Sequence, residues 1–191
     1  MIALVVLSPL LLGLALLIRI KLGGPVFFKQ ERVGQNAKTF TLYKFRTMTE
    51  KRDNDGNLLP DNIRLTRFGS LMRSASLDEL PELFNILKGE MSLIGPRPLP
   101  VVYLPYYTKE EMKRHLIRPG LSGWAQVNGR HYLRWEDRFK YDIEYVNNVS
   151  LLFDIKILVL TVKKVILRSD VGVRGVDFED ISLHELRKTN N

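Results

Sequence analysis

The chain begins with its longest apolar stretch. Residues 1–18 carry no charge, and only Ser8, Pro9 and Gly13 interrupt the Leu, Ile, Val and Ala side chains. Such a stretch is typical of a membrane helix, although at about 1.5 Å per residue it reaches roughly 27 Å, slightly less than the ~30 Å hydrocarbon layer. Because proline removes a backbone hydrogen bond in mid-helix, Ser8-Pro9 predicts a kink and permits a re-entrant bend.

The residues that flank this stretch argue against a cleaved signal peptide. No basic residue precedes it, and Arg19 and Lys21 follow it where a small-residue cleavage site would lie. Together with Lys29 and Arg32 they form a basic cluster after the apolar stretch. The positive-inside rule keeps such a cluster in the cytoplasm, where it also suits anionic headgroups. The pattern predicts a membrane-anchoring helix over residues 1–22.

Mixed strand and helix patterns follow the apolar stretch. Residues 26–28 and 40–45 are β-prone runs joined by a turn at residues 34–37, and residues 50–57 form a polar, turn-rich loop. Helical spacing recurs four times, over residues 63–72, 81–87, 108–117 and 135–146. The order predicts an α/β (α+β) fold class with a small sheet and short, partly interfacial helices. We expect one catalytic domain over residues 23–169 and a tail over residues 170–191.

The last long apolar run, residues 150–167, has two interpretations. Ser150 is its predicted cap, and basic residues are interspersed along it: Lys156, Lys163, Lys164 and Arg168. This composition fits an interfacial amphipathic helix that lies on a membrane. It fits an ordinary core helix with a solvated lysine face equally well. The sequence leaves both interpretations open.

The charge balance favours anionic partners. The 29 Lys and Arg residues exceed the 21 Asp and Glu residues, which gives a net charge of +8 over 191 residues. This excess suits phosphates, acidic lipids or nucleic acid without choosing among them. The chain has no cysteine, and His115, His131 and His184 are far apart in sequence. Disulfides and thiolate metal sites are therefore excluded, and a bound metal would need oxygen ligands.

One segment carries a pattern suited to phosphoryl chemistry. Asp78 and Glu79 are adjacent carboxylates, placed between Arg73 and Arg97 and just before a predicted helix. Arginine binds phosphate bidentately, a carboxylate attacks phosphorus or holds Mg²⁺, and a helix N-terminus stabilises negative charge. Prolines on both sides of Arg97 restrict the backbone, so its guanidinium is expected to stand on a stiff support.

The same acidic residues also fit a purely structural role. Ser76 and Glu79 form the pattern Ser-x-x-Glu ahead of an apolar run, which is typical of a capping box. In that interpretation the carboxylates only complement the first turn of a helix. The segment alone does not decide between capping and chemistry.

Further motifs join the acidic segment in resembling one family. They are PVFFKQERVG at residues 25–34, FTLYKFRTM at 40–48 and RPGLSGWAQVNGR at 118–130, followed by residues 135–154. The chain is similar to the bacterial sugar transferases, and more narrowly to the small monotopic phosphoglycosyl transferases. Members of that family enter the membrane by a helix broken at Ser-Pro, with a longer apolar lead before it. We therefore expect the entering half-helix of this chain to be short.

The resemblance implies a specific reaction. It implies transfer of a sugar 1-phosphate from a UDP-sugar to polyprenyl (undecaprenyl) phosphate, with release of UMP and a covalent aspartyl intermediate. Such a step is the first membrane step of bacterial glycoconjugate synthesis, for example of exopolysaccharide or lipopolysaccharide. The implied cofactor is Mg²⁺, and the implied partners are the two substrates and membrane lipid, with no nucleic acid. The implied location is the bacterial inner membrane, with the catalytic domain on its cytoplasmic face.

The resemblance also assigns roles to residues. Asp78 matches the nucleophile, and Glu79 matches its partner in binding Mg²⁺ or handling the acceptor's proton. Asp142 and Asp154 match later acidic positions that orient an arginine or complete the metal shell. The grip on phosphate and nucleotide corresponds to six basic residues: Arg32, Lys44, Arg46, Arg73, Arg97 and Arg118.

Two other functions compete with this one. A non-catalytic basic protein that binds anionic lipid or nucleic acid at a membrane surface would explain the charge and the apolar stretch. It would not explain an acid pair between two arginines, and the basic residues match no nucleic-acid-binding module. A glycosyl transferase that leaves both phosphates on the nucleotide would release UDP in place of UMP.

Overall fold

A computed structural model describes residues 2–129, 133–167 and 183–188. The chain divides into two compact units, and each is described by itself. Unit 1 comprises Met1–Lys29 and Tyr43–Phe84, and unit 2 comprises Gln30–Leu42 and Asn85–Asn191. Helices and two small sheets confirm the predicted α/β class. Arg130, His131 and most of the predicted tail lie outside the described residues.

The chain opens with helix α1, Ile2–Leu22, which is continuous through Pro9. Pro9 has no N–H to donate to the carbonyl of Val5, four residues earlier. The Ser8 hydroxyl donates to that carbonyl at 2.7 Å and so replaces the missing helical partner. The helix therefore tolerates the Ser-Pro dipeptide without dividing in two, and the re-entrant course stays a prediction.

One face of α1 packs inside unit 1. Leu14, Ile18 and Leu22 are buried in a cluster with Phe45 and Met72. The other faces expose large apolar side chains, among them Val5, Val6, Leu12, Leu16 and Ile20. The segment Val5–Leu22 is long and apolar enough to cross a membrane, and 22% of it is buried. Exposed apolar surface of this extent is unusual for a water-soluble monomer.

The predicted hairpin follows α1. Strand β1, Phe27–Val33, pairs with strand β2, Thr39–Phe45, in a two-stranded sheet joined by a turn at Gln35–Ala37. Residues 50–57, expected to be a surface loop, are all exposed, and Arg52 forms an isolated antiparallel bridge with Leu58. The hairpin and the loop are therefore confirmed.

The helix predicted over residues 63–72 is wrong in its continuity. The structure has two helices there, α2 at Asp61–Arg64 and α3 at Arg67–Ser74. Thr66 lies between them, and its hydroxyl accepts a hydrogen bond from the Gly69 N–H at 3.0 Å. Thr66 is thus an N-cap that starts a new helix, a role that threonine performs often.

The chain then forms helix α4, Glu82–Leu87, which ends before Gly89 with its φ of +77° as predicted. Strands β3, Ser92–Ile94, and β4, Gly120–Ser122, pair in parallel in unit 2. Each strand has only three residues, so neither one is long enough for alternation to reveal it.

Three helices cover β3 and β4: α5 at Trp124–Val127, α6 at Trp135–Asn147 and α7 at Leu151–Leu167. Ile94, Val127, Tyr145 and Ile157 form the buried cluster between them. The predicted helices at 135–146 and 151–167 are confirmed, and the Ser150 hydroxyl accepts from the Phe153 N–H as a cap.

The exposure of helix α7 favours one of its two interpretations. Ile157 is its only buried residue, and exposed apolar side chains cover much of the rest: Leu151, Leu152, Ile155, Leu158, Val159, Val162, Ile166 and Leu167. A core helix would bury these side chains, so the exposed surface favours the interfacial interpretation.

The prediction of a surface helix over residues 108–117 is wrong. The structure has a short 3₁₀ segment, Glu111–His115, in which Glu111, Arg114 and His115 are buried. Thr108 does cap it, because its hydroxyl accepts from the Glu111 N–H at 3.2 Å while the Glu111 carboxylate accepts from the Thr108 N–H at 2.7 Å. This reciprocal pair is a capping box that the Thr-x-x-Glu spacing predicts.

The last described element is helix α8, Leu183–Lys188. Leu183 is fully buried in a cluster with Leu99, Tyr103 and Phe139. Arg187 donates two hydrogen bonds to the Glu111 carboxylate and a third to the Tyr106 carbonyl. This end of the chain is therefore anchored to unit 2.

Candidate active site

The acid pair lies in a tight turn of unit 1. Asp78 and Glu79 belong to a 3₁₀ segment, Leu77–Glu79, that follows Ser76 in the left-handed conformation with φ 54° and ψ 22°. A residue with a Cβ pays a conformational cost there, and such strain concentrates at functional sites. Leu77 and Leu80 bracket the pair and pack on the cluster that holds α1. The turn is therefore fixed beside the apolar helix.

The capping-box interpretation of Ser76 and Glu79 is wrong. The Ser76 side chain makes no capping hydrogen bond to this turn. The Glu79 carboxylate instead accepts a hydrogen bond from Lys44 at 2.7 Å. Helix α4 begins only at Glu82 and has six residues, so a large helix-dipole contribution at the acid pair is not expected.

Lys44 is shared between two carboxylates of unit 1. Its Nζ lies 2.7 Å from Glu79 Oε1 and 3.1 Å from Glu82 Oε1. The side chains of Lys44 and Glu79 are 16% and 18% exposed, whereas Glu82 is 2% exposed. The Lys44 ammonium therefore neutralises the partly exposed Glu79 carboxylate, and the buried Glu82 carboxylate forms a second ion pair with the same ammonium. Glu82 was not among the predicted site residues, although its position three residues after Glu79 places both on one helical face.

Two predicted phosphate-binding arginines of unit 1 donate hydrogen bonds to other groups of the protein. Arg73 Nε donates to the Thr47 hydroxyl at 2.9 Å. Arg46 is buried, and its guanidinium donates to three consecutive carbonyls at 2.5–2.8 Å, those of Leu22, Gly23 and Gly24. Arg46 thus caps the C-terminal end of α1, where a positive charge is favourable. A phosphate role for Arg46 would require it to leave these carbonyls, and that role stays a prediction.

In unit 2, Arg97 stands in a turn whose backbone is tightly held. Pro96 and Pro98 are buried on both sides of Arg97, which is itself half-buried. A Cβ on Gly95 would lie 2.5 Å from the Arg118 carbonyl oxygen, so only glycine permits this approach. The backbones of the two motifs that carry Arg97 and Arg118 therefore touch, and the exposed Arg118 side chain begins from this contact.

Arg32 also lies against this turn. Its guanidinium donates to the Pro98 carbonyl at 3.3 Å and to Gln30 Oε1 at 2.6 Å. The main chain next to it, at Val33, donates to the Leu99 carbonyl at 3.1 Å. Arg32 thus supports the Arg97 turn, and direct contact between Arg32 and a phosphate stays a prediction.

Asp142 forms an ion pair with an arginine, Arg114, and its role in the reaction stays a prediction. Its Oδ2 accepts from Arg114 Nη2 at 2.7 Å and from Nε at 3.0 Å, and both side chains are 1% exposed. Burial raises the pKa of the Asp142 carboxyl, and the Arg114 charge opposes that rise. Burial lowers the pKa of the Arg114 guanidinium, but the charges of Asp142 and Tyr107 and the hydrogen bonds to their side chains together outweigh burial and raise this pKa. The guanidinium therefore remains charged.

Asp154 has a different partner from the one expected. Its Oδ1 accepts a hydrogen bond from the Tyr145 hydroxyl at 2.6 Å. Burial and this hydrogen bond raise the pKa of the Tyr145 phenol above its ordinary range. Asp154 thereby ties the start of α7 to α6, and a place in a metal shell stays a prediction.

The predicted site residues fall into two sets. Unit 1 holds Lys44, Arg46, Arg73, Asp78 and Glu79, and unit 2 holds Arg32, Arg97, Arg118, Asp142 and Asp154. Within the described residues, no group of three or more His, Asp or Glu side chains could hold a metal. Asp78 and Glu79 offer two adjacent carboxylates. That donor set suits Mg²⁺, which proteins commonly bind through one or two carboxylates together with substrate phosphate oxygens.

Comparisons with known proteins identify the family of this chain. A profile of the family described as bacterial sugar transferase matches residues 1–168. The chain is 54% identical over 164 residues to the uncharacterized sugar transferase EpsL of Bacillus subtilis (strain 168), covering 86% of this chain and 81% of EpsL.

Longer relatives match over part of their length. The UDP-glucose:undecaprenyl-phosphate glucose-1-phosphate transferase of Xanthomonas campestris pv. campestris is 41% identical over 86% of this chain and 36% of its own length. The UDP-N-acetylgalactosamine-undecaprenyl-phosphate N-acetylgalactosaminephosphotransferase of Aeromonas hydrophila is 39% identical over 86% of this chain and 41% of its own. The chain thus spans roughly two-fifths of these two relatives. With the family match across nearly its whole described length, the chain belongs to the bacterial sugar transferase family.

Proposed function

We propose that this protein transfers a sugar 1-phosphate from a UDP-sugar to undecaprenyl or another polyprenyl phosphate and releases UMP. Two of the relatives carry names that state this type of transfer. The family membership makes the protein a transferase of sugar-phosphate groups. A non-catalytic lipid- or nucleic-acid-binding role is therefore set aside.

The observation that carries the proposal is the placement of the acid pair. Leu77 and Leu80, on either side of Asp78 and Glu79, pack on the cluster that also buries one face of α1. A polyprenyl chain is soluble only in the membrane, so its phosphate must be met at the bilayer surface. Carboxylates held beside an apolar helix of membrane-spanning length suit that encounter.

In the proposed first step, a carboxylate oxygen of Asp78 attacks the β-phosphorus of the UDP-sugar. A new bond forms between that oxygen and phosphorus, and the bond from phosphorus to the bridging oxygen breaks, so UMP leaves with that oxygen. The enzyme then carries an acyl phosphate that bears the sugar. Covalent catalysis of this type divides one difficult displacement into two easier ones.

In the second step, a phosphate oxygen of the polyprenyl phosphate attacks the same phosphorus. The bond to the Asp78 oxygen breaks, which restores the carboxylate and yields a polyprenyl diphosphate sugar. If the acceptor phosphate arrives with a proton, Glu79 is the proposed base that takes it. Lys44, which holds Glu79 at 2.7 Å, lowers the repulsion between the acid pair and the incoming anions.

Asp78 and Glu79 would hold Mg²⁺ as the proposed cofactor, because two adjacent carboxylates are a donor set that suits this ion. When bound, this ion would neutralise charge on the diphosphate. Arg73 and Arg97 are the principal basic residues proposed to position the phosphates.

The proposed location is the bacterial inner membrane, with the catalytic residues on the cytoplasmic side. Arg19 and Lys21 lie in the last turn of α1, and basic residues at the end of an apolar helix favour the cytoplasm. UDP-sugars are cytoplasmic metabolites, so this side also supplies the donor. The exposed apolar surface of α7, with Lys156, Lys163 and Lys164 among it, suits the interfacial layer of the same membrane.

The deciding experiment measures which nucleotide is released. Purified protein in detergent is incubated with undecaprenyl phosphate, Mg²⁺ and each of a panel of UDP-sugars that includes UDP-glucose and UDP-N-acetylgalactosamine. We expect UMP from at least one donor. Release of UDP would instead show a glycosyl transferase that leaves both phosphates on the nucleotide, and failure of every donor to yield UMP would contradict the proposal.

A second measurement tests the covalent step. The protein is incubated with an active UDP-sugar but no polyprenyl phosphate, and its intact mass is recorded. The proposal predicts a mass increase equal to one sugar phosphate, mapped to Asp78 by peptide analysis. An adduct at another residue would refute the nucleophile while leaving the reaction class in place.

A further inference from the structure

We infer that Arg114, held by Asp142, is a positioning residue for the Arg97 turn and thereby sets how tightly the donor diphosphate is bound. This inference rests on the proposed function, because it assumes that Arg97 contacts substrate phosphate. Arg114 was not among the residues that the sequence singled out. Its burial and its partners distinguish it from the exposed basic residues of the chain.

The evidence starts with the backbone of residues 96–99. Four consecutive carbonyls of this stretch accept hydrogen bonds from four separate donors: Pro96 from the Gly120 N–H at 3.0 Å, Arg97 from Arg114 Nη2 at 2.7 Å, Pro98 from Arg32 Nη1 at 3.3 Å, and Leu99 from the Val33 N–H at 3.1 Å. Proline has no N–H, so the turn cannot hold itself through Pro96 or Pro98 donors. Its conformation depends on donors from outside.

Among these donors, Arg114 acts on the carbonyl of Arg97 itself. Its contact is the shortest of the four, and charge-assisted hydrogen bonds are stronger than neutral ones. The fork of the guanidinium matters, because Nη2 bridges the Arg97 carbonyl and Asp142 Oδ2 while Nε makes a second bond to Oδ2. A lysine at this position has a single nitrogen on a flexible stem and cannot reproduce this planar arrangement.

The surroundings keep Arg114 in one orientation. Its guanidinium carbon lies 5.7 Å from the ring centre of Phe139 and 5.9 Å from that of Tyr107. Asp142 supplies the compensating charge that a buried guanidinium requires. Residues on α6 and in the 3₁₀ segment Glu111–His115 are thus connected to the Arg97 turn through one side chain.

A merely structural role for Arg114 makes a different prediction. If Arg114 only stabilised unit 2, its substitution would lower the melting temperature and would reduce activity by the same factor whatever residue stood at position 97. If Arg114 acts through Arg97, the loss should disappear once the Arg97 side chain is gone. A double-mutant cycle separates these cases.

The experiment compares Arg114→Lys, Arg97→Ala and the double variant in full-length protein with UDP-sugar, undecaprenyl phosphate and Mg²⁺. Initial rates of UMP release give kcat and KM, and thermal melting in the same detergent gives stability. Arg187→Lys is the matched control, because Arg187 also binds a carboxylate of unit 2, that of Glu111, through both Nη atoms. Within the described part of the chain its hydrogen bonds go to Glu111 and Tyr106 and not to residues 96–99.

We expect Arg114→Lys to lower kcat/KM roughly 10- to 100-fold, mainly through a higher KM for the UDP-sugar, since small displacements of a binding group have effects of this size. In the Arg97→Ala background the same substitution should change kcat/KM less than about threefold. Arg187→Lys should leave both constants near those of the wild type. If Arg114→Lys does not fold, Asp142→Asn is measured in the same two backgrounds.

Equal losses in the two backgrounds would overturn the inference, and so would an Arg97→Ala variant with wild-type kinetics. Wild-type protein that releases no UMP would refute the proposed function itself, whereas an active wild type with additive losses would refute only the positioning role.

Discussion

The two units each contain a cluster of acidic and basic side chains, and the clusters differ in what surrounds them. In unit 1, Lys44 and Glu79 are 16% and 18% exposed and border the Asp78 turn. In unit 2, Arg114 and Asp142 are each 1% exposed and are enclosed by aromatic rings. The first cluster is open to an incoming anion, whereas the second is closed to any ligand.

This difference in exposure indicates which carboxylates are available for chemistry. A reacting carboxylate must be reached by its substrate, and in unit 1 the lysine that balances the acid pair is itself only partly buried. A sealed ion pair contributes through geometry, because removal of one partner leaves an unpaired buried charge. We therefore expect substitutions in the first cluster to affect catalysis and substitutions in the second to affect stability and alignment.

The largest expected effect is that of Asp78→Asn. The amide is nearly isosteric with the carboxylate but cannot attack phosphorus, so turnover should fall by at least ~1,000-fold, as is typical for loss of a nucleophile. The melting temperature should change little, because Asp78 lies in a partly exposed turn. UMP release and intact-mass detection of the adduct provide the measurement.

Asp142→Asn is the counterpart of this variant in unit 2. It should destabilise the protein by about 3–5 kcal/mol, since Arg114 would remain buried without its counter-charge. Below its melting temperature it should still form the sugar-phosphate adduct. The comparison of the two clusters would fail if Asp78→Asn kept normal turnover or if Asp142→Asn lost the adduct while fully folded.

Removal of divalent metal should abolish turnover and leave the Arg114–Asp142 ion pair of unit 2 intact. EDTA in excess over Mg²⁺ is expected to stop UMP release, because the diphosphate charge is no longer neutralised. The melting temperature should not change, since the ion pairs described in both units are formed by side chains alone. Full activity in EDTA would remove Mg²⁺ from the mechanism, and restoration of activity by added Mg²⁺ is the control.

A smaller effect is expected from Glu82→Gln. Glu82 is almost fully buried and forms an ion pair with Lys44 at 3.1 Å. Removal of the Glu82 charge should let Lys44 pair more closely with Glu79 and less freely with substrate phosphate. We expect kcat/KM to fall about tenfold, near the lower range for positioning groups. The measurement is the KM for the UDP-sugar, and Glu50→Gln is the control because Glu50 is an exposed partner of Arg46 at 3.5 Å.

The sequence predicted the helices and strands that have long periodic patterns. The stretch at residues 1–22, the hairpin and the two helices after residue 135 were all visible in this way. The strands β3 and β4 were not, because each has three residues and takes its stability from glycine-mediated contact. The periodicity of residues 63–72 does not show the break between α2 and α3, where Thr66 starts the second helix as its N-cap.

The site was predicted in part. Motifs identified the acid pair, but side-chain partners distant in sequence decide what each basic residue does. Arg46 binds carbonyls that lie more than twenty residues earlier in the chain, and no local pattern indicates this role. Arg114 and Glu82 were missed because burial, which distinguishes them from solvated charges, is a property of the folded chain.

The smallest effect expected at neutral pH concerns His115, which borders the sealed cluster of unit 2. Burial and the neighbouring Arg114 charge lower the pKa of His115 from 6.5 to about 4, while a backbone hydrogen bond at Gly34 opposes the shift. Its Nε2 is buried without a hydrogen-bond partner among the described residues. The imidazole is therefore neutral in the folded protein at neutral pH.

This lowered pKa makes stability depend on pH in a defined direction. Between pH 6.5 and 4 the unfolded chain binds a proton that folded His115 does not, so the free energy of unfolding should decrease as the pH falls through this window, by up to roughly 3 kcal/mol. Above pH 6.5 the contribution should be constant. Because carboxylates also titrate below pH 5, the informative quantity is the difference between wild type and His115→Gln. Melting temperatures in detergent at pH 7.5, 6.5 and 5.5 should fall more steeply for the wild type, and parallel curves would show that His115 is protonated as readily in the folded as in the unfolded protein.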